Sequence, residues 1–217
     1  GAAGLGLVGC GDDDDDAPAA TATAAPGGSP SAAATSATVN RGGTLRSPVS
    51  GASSANPPTI FPYENLTYLA QTPSAAYYSR LLRGANGANI HPNDNTAMEG
   101  DIASGWEQPD PLTYTFKMKP NVKWQDKAPM NGRAATATDF VNTYAAFSSI
   151  SQNGAGWKAV VDKITAPDEK TIQIKLVQPY APFLITHASS AEALWFIPAE
   201  TIDNGQVKTD PVGTGPY

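Results

Sequence analysis

Hydrophobic and polar positions alternate most cleanly over Thr113–Met118. Tyr114, Phe116 and Met118 fall on one side and Thr113, Thr115 and Lys117 on the other, the signature of a half-buried strand. The same two-residue period returns in Val160 to Thr165 and in Thr171 to Leu176. Pro167-Asp168-Glu169-Lys170 separates them, so the pair reads as a hairpin with Ile172, Ile174 and Leu176 on its apolar face. Between these strands the period lengthens. Phe140, Tyr144 and Phe147 are spaced i, i+4, i+7 with Val141 beside them, which predicts a helix from about Ala137 to Ile150 with a core-facing stripe. Thr136 and Asp139 stand as a capping box, with Asp where Glu is usual.

The remaining elements are less regular. Thr44-Leu45-Arg46 begins a first strand, and Pro57, Pro58 and Pro62 mark an extended loop carrying Ile60, Phe61 and Tyr63. A helix is predicted with Thr72 as N-cap, Pro73 at its first position and Gly84 closing it. Tyr77, Tyr78, Leu81 and Leu82 would share its broad apolar face. Pro120-Asn121 turns the chain and Val122-Lys123-Trp124 returns it. Gly154-Ala155-Gly156 reads as a flexible approach to Trp157. Pro179 and Pro182 open a last helix through Phe183, Leu184 and Ile185. Trp106 and Trp124 read as core.

The first forty residues differ in kind from the rest. Gly1 to Gly9 form an apolar run, Leu7-Val8-Gly9-Cys10 carries the single cysteine, and Asp12 to Asp16 follow. Residues 17–40 are Ala, Thr, Ser, Pro and Gly, too poor in large apolar side chains to offset their ordering entropy. This order reads as the end of an export signal (residues 1–10), a lipid-accepting Cys10 and a disordered tether (residues 11–40), with the following part outside the cytoplasm on a membrane anchor. The alternative for Cys10 is an incidental small residue. No initiating Met or basic segment precedes the apolar run, so the sequence is expected to start inside the signal.

Charge and chemistry exclude several functions. The formal net charge is −6, and five of those charges are Asp12 to Asp16, so the remainder is nearly neutral. It has no basic stripe for nucleic acid. One cysteine cannot form an internal disulfide, and about 175 residues after the tether suffice for one packed domain or parts of two. Gly4-Leu5-Gly6-Leu7-Val8-Gly9 fits a dinucleotide pattern in letters only, since no strand precedes it and no helix follows. No cofactor is expected. The aspartate run lacks the glycine and distal glutamate of a calcium loop, and His91 and His187 lack metal-ligand spacing. No Gly-x-Ser-x-Gly nucleophile occurs. Catalytic and metal-binding residues are therefore expected to be absent, and the chain is read as not an enzyme.

The blocks Gly42–Arg46, Ser79–Gly84, Ile102–Glu107, Leu112–Lys119, Val122–Asp126, Ala137–Val141, Pro179–Leu184 and Val212–Tyr217 stand in one order along the chain. Together they resemble the peptide/nickel-type solute-binding proteins of bacterial ABC importers, the family 5 extracytoplasmic receptors. Asp126-Lys127 departs from the Asp-Gly usual there, with a longer loop through Asn131-Gly132, and Phe61-Pro62-Tyr63 replaces an Asp-Pro. The resemblance implies a mixed α/β, periplasmic-binding-protein-like fold of two lobes closing on a ligand (type II). Residues 41–79 and 197–217 would be parts of lobe I and residues 80–196 the small family-specific subdomain. Family members continue past the terminal block, so the chain is expected to be an N-terminal part of a longer product, with the second lobe absent.

Ligand contacts are expected where aromatic and polar residues gather in loops. Tyr63, Glu64 and Asn65 form one candidate group, Trp157 a second, and Ser189, Ser190, Glu192 and Trp195, near His187, a third. Each has a plainer reading. Trp157 can be a core anchor, Trp195-Phe196-Ile197 a buried strand, Tyr63 and Asn65 loop chemistry, and Glu192 a solvated carboxylate. The implied function is a lipid-anchored substrate-binding protein that captures an oligopeptide or similar solute and delivers it to permease subunits in the membrane. A secreted hydrolase on a similar scaffold and a structural or adhesive lipoprotein are the alternatives.

Overall fold

The computed structural model describes residues 59–91, 96–189 and 194–217. The expected first strand at Thr44–Arg46, the tether and Cys10 lie outside these residues, as do Ser190 and Glu192. Described elements run α1 (Tyr68–Tyr77), β1 (Leu82–Gly84), β2 (Met98–Gly100), β3 (Ala103–Asp110), β4 (Thr113–Met118), α2 (Ala137–Ile150), α3 (Gly154–Val160), β5 (Val161–Asp168), β6 (Thr171–Leu176) and α4 (Ala199–Asp203). A π-helical turn, Leu184–Ala188, and a 3₁₀ turn, Gln206–Lys208, complete the set. The architecture is mixed α/β.

The sheet is antiparallel, in the order β3-β4-β6-β5. β4 and β6 occupy its centre because their alternation buries Tyr114, Phe116 and Met118 beside Ile172, Ile174 and Leu176. The opposite face carries Thr115, Lys117, Gln173 and Lys175 and stays polar. β3 pairs with β4 through an irregular register and supplies an edge, while β1 and β2 form a separate small ribbon.

α2 covers the apolar face with Phe140, Thr143 and Phe147 buried. Tyr144 sits at the margin, its ring 5.9 Å from that of Trp157. The capping box is formed as expected: Thr136 accepts from the Asp139 backbone N–H, and the Asp139 carboxylate accepts from the Thr136 N–H at 2.9 Å. Arg133 grips the same carboxylate with two nitrogens at 2.8 Å each and reaches Glu200 on α4 at 2.9 Å. Burial works to raise the Asp139 pKa, but the Arg133 and Thr136 hydrogen bonds outweigh it and hold the carboxyl below its usual range.

Several boundaries differ from expectation. α1 begins five residues before Pro73, which lies inside the helix. Its missing N–H costs one backbone bond, offset by burial of Ala70, Gln71 and Ser74 on the same helix. Thr72 is therefore not the N-cap, and Gly84 lies in β1. Val122–Trp124 pairs not with β4 but with the stretch after the Asn131-Gly132 turn: Trp124 N–H donates to Arg133 O and Ala135 N–H to Val122 O, both at 3.0 Å. Both turn residues take positive φ, 47° and 69°. Gly154–Val160 is a helix rather than a flexible link.

The segment Leu194–Ile197 is buried yet makes only one strand-like bridge, Phe196 to Ser79. Its backbone groups are met individually. Phe196 N–H donates to Ser79 O at 2.8 Å, Tyr63 O–H donates to Trp195 O, and Thr143 O–H donates to Ile197 O at 2.6 Å. Downstream, Gly213 and Gly215 press against the end of α1. A Cβ at Gly213 would lie 1.7 Å from the Tyr77 carbonyl oxygen, and one at Gly215 2.6 Å from that of Ala76.

Two outcomes are expected. Thr143→Val keeps the shape of the side chain but strands a buried carbonyl, and should cost about 1–3 kcal/mol, read as a lower urea midpoint at unchanged m-value. The depressed Asp139 pKa contributes stability above the unfolded carboxyl pKa and loses it as pH falls through the folded value. Asp139→Asn should therefore flatten the acid limb of the stability curve between about pH 5 and 2.

Candidate functional site

Gly154 sets up a concave surface between α3 and the π-helical turn. A Cβ there would lie 2.7 Å from the Ser148 carbonyl oxygen, so only glycine lets α3 turn this tightly against the end of α2. The turn drives Trp157 into the core at 4% exposure. Phe147 and Phe183 meet it edge-on at 5.6 and 6.4 Å.

The π-helical turn then delivers His187 onto Trp157, ring centres 4.9 Å apart. Tyr180 approaches His187 edge-on at 5.5 Å and Phe183 stacks on it at the same distance. Thr186 Oγ1 lies 3.0 Å from Pro182 O and 2.7 Å from His187 Nδ1. The hydroxyl has one proton, so it either donates to Pro182 O and accepts from Nδ1–H, or donates to a bare Nδ1 and leaves the ring proton on Nε2. Burial lowers the imidazole pKa, so the ring is neutral near pH 7. Trp157, Tyr180, Thr186 and His187, with Gln152, Asn153, Gly156 and Val160, border an open cleft of about 430 Å³.

The other expected contacts have defined places. Tyr63 is buried, its ring 5.0 Å from Phe147, and its hydroxyl is spent on Trp195 O. Burial raises its pKa strongly. Asn65 is buried too; its Oδ1 accepts from the Thr67 N–H and hydroxyl at 3.0 and 2.7 Å, and its Nδ2 donates to Thr59 O, tying the loop to the start of α1. Glu64 points outward and pairs with Lys208 at 2.8 Å. Trp195 is buried, with its indole N–H on Gln71 Oε1 at 2.8 Å and the Arg80 guanidinium 4.6 Å from its ring centre. Arg80 also donates to Ser189 O at 2.9 Å. The Ser189 hydroxyl donates to Ile185 O at 3.2 Å.

The structure thus joins Tyr63 to Trp195, and Ser189 to Trp195 through Arg80. Trp157 connects to Tyr63 only through Phe147, and Glu64 stands apart with Lys208. Sequence reasoning missed Arg80, Gln71, Tyr180 and the amide pair Gln152-Asn153. Tyr180 sits in a quoted block between two prolines, and an amide pair just past a helix end was a readable signal. Arg80 and Gln71 act through partners more than one hundred residues away, which no local pattern reveals. Tyr68, at the first turn of α1, is 80% exposed and also went unassigned. Among the described residues no group of His, Cys, Asp and Glu is arranged to hold a metal ion, and no helix is long and apolar enough to cross a membrane.

The family model of bacterial extracellular solute-binding proteins, family 5 (middle), matches residues 97–217. The chain belongs to that family. It is 30% identical over 141 residues to a probable D,D-dipeptide-binding periplasmic protein of Escherichia coli K12, covering 64% of this chain and 26% of that protein. In three dimensions it resembles the binding protein MoaA of A. tumefaciens R10, solved with mannopinic acid: TM-score 0.61, 28% identity, 73% of this chain and 31% of that one. The DppA protein of Helicobacter pylori, solved with the peptide STSA, shares the fold at TM-score 0.60 and 23% identity, over 75% of this chain and 34% of that one. The chain spans about a quarter of the length of the curated relative from E. coli.

The two glycines of α3 should respond oppositely to alanine. Gly154→Ala overpacks the α2–α3 contact and should lower stability by about 1–3 kcal/mol. A Cβ at Gly156 meets nothing within 4 Å, so Gly156→Ala should be neutral or add up to about 1 kcal/mol. Paired urea titrations check both.

Proposed function

We propose that this chain contributes to the solute-binding component of an ABC importer, which captures an oligopeptide or similar small solute and passes it unaltered to permease subunits. The observation that carries the reading is the match of residues 97–217 to the solute-binding family, together with a cleft on that same stretch bordered by rings and amides. In this reading the protein works outside the cytoplasm, with lipid on Cys10 holding it to the membrane and residues 11–40 as the tether. Residues 80–196 form the family-specific subdomain, and residues 41–79 with 197–217 belong to the first lobe.

The contacts sort by what their polar atoms already do. Trp157, His187 and Tyr180 border the cleft and meet solute directly. Tyr63, Asn65 and Trp195 hold the surrounding loops, since their hydrogen bonds are taken up internally. Ser189, Ser190, Glu192 and Glu64 remain proposed contacts. The chemistry is binding alone: Thr186 is the hydroxyl beside His187, but none of the residues bordering the cleft is a carboxylate that would orient that ring as a base.

An open cleft gives weak capture, in the millimolar range, about −4 kcal/mol. Saturation-transfer NMR with a mixture of di- to pentapeptides should detect contact, and mass spectrometry afterwards should recover every peptide uncut. Cleaved peptides would establish the hydrolase reading instead. Absence of transfer to any peptide would remove solute capture by this chain and favour the structural alternative.

A further inference from the structure

We infer that the cleft between α3 and the π-helical turn is a subsite for an uncharged aromatic side chain of the captured peptide, held in the corner formed by Trp157, Tyr180 and His187. This rests on the proposed solute-binding function and adds to it the kind of side chain selected.

The first reason is charge. None of the side chains bordering the cleft is an acid, a lysine or an arginine. A peptide's charged terminus, or a Lys or Asp side chain, would give up hydration there without gaining a counter-ion. His187 does not supply one, being neutral and desolvated.

The second reason is the arrangement of the rings. His187 makes an interplanar angle of 61° with Trp157 and 83° with Tyr180. Rings standing nearly perpendicular present an edge and a face to the space between them, and a third ring can meet both in the edge-to-face geometry that aromatic pairs prefer. Trp157 is almost wholly buried, so it closes the back of the corner while Tyr180 and His187 form the more accessible walls.

The third reason is the polar border. Either tautomer leaves His187 Nε2 outside the Thr186 contact, as an acceptor or as a donor, and Gln152 adds an amide at the same border. A ring entering the corner therefore brings its peptide group to neutral polar partners, which gives the subsite direction as well as shape.

Gly156 supplies the test. It borders the cleft, and a Cβ there meets nothing within 4 Å, so Gly156→Leu starts its side chain in open space and extends it into the cleft. The Cε1–H signal of His187, assigned by its loss in His187→Gln, is followed by ¹H–¹³C NMR. N-acetyl-phenylalanine amide, N-acetyl-aspartate α-amide, N-acetyl-lysine amide and methyl β-glucoside are titrated in turn. The phenylalanine amide should shift the signal with an apparent affinity about tenfold above the charged probes. Gly156→Leu should remove that preference while its melting temperature stays at or above that of the parent chain.

An equal or larger response to the aspartate or lysine amide overturns the assignment. So does a stronger response to the glucoside, which marks a sugar site, or no response to any probe. Gly-Phe-Gly and Gly-Gly-Gly, compared by saturation transfer, separate this from the functional reading. If both peptides bind equally and Gly156→Leu changes neither, the subsite falls and capture stands. If neither peptide binds but the phenylalanine amide still shifts His187, capture falls and the subsite stands.

Discussion

A buried backbone must have its N–H and C=O groups paired, and Trp195–Ile197 meets that requirement without joining a sheet. Its partners come from the loop at Tyr63, the chain just past α1 at Ser79, and α2 at Thr143. Each bond is long-range, so those parts must all be in place before the segment can be dry. The aromatic packing follows from this. Phe196 fills the space beside Trp124 and Phe140, and Trp195 turns its indole N–H to Gln71 and its face to Arg80. The segment works as the pin through which the sheet-and-helix half and the α1 half hold one another.

Local chemistry accounts for what could be read from the sequence. β4, β6 and α2 were legible because each carries its own period and, for α2, its own cap at Thr136 and Asp139. The resemblance blocks identified the family, and residues 97–217 match it. β3 was not legible as a strand: Gly105, Pro109 and the charges of Glu107 and Asp110 interrupt its pattern, and it is extended because β4 pairs with it. α1 misled for the opposite reason. Thr72-Pro73 looks like a helix start, but Asn65 organises the true start earlier and Gln71 bonds Pro62 O and Asn65 O, so tertiary contacts outweigh one lost backbone bond.

The cleft shows the same division. Trp157 and His187 stood out as residue types, yet nothing in the sequence places them against each other. That contact depends on Gly154 seen as a close approach rather than a flexible joint, and on a π-helical turn that no periodicity announces. Tyr63 and Asn65 were expected as ligand contacts with loop chemistry as the plainer reading, and their polar atoms make internal bonds.

The seam at Gly213 and Gly215 has a mechanical meaning. There the main chain rests directly on the carbonyls of Ala76 and Tyr77, with no side chain between. A joint of this kind has no rotamers to re-sort and no methyl groups to slide. The end of α1 and the strip lying on it are thus locked backbone to backbone, and any side chain added at Gly213 or Gly215 would force them apart.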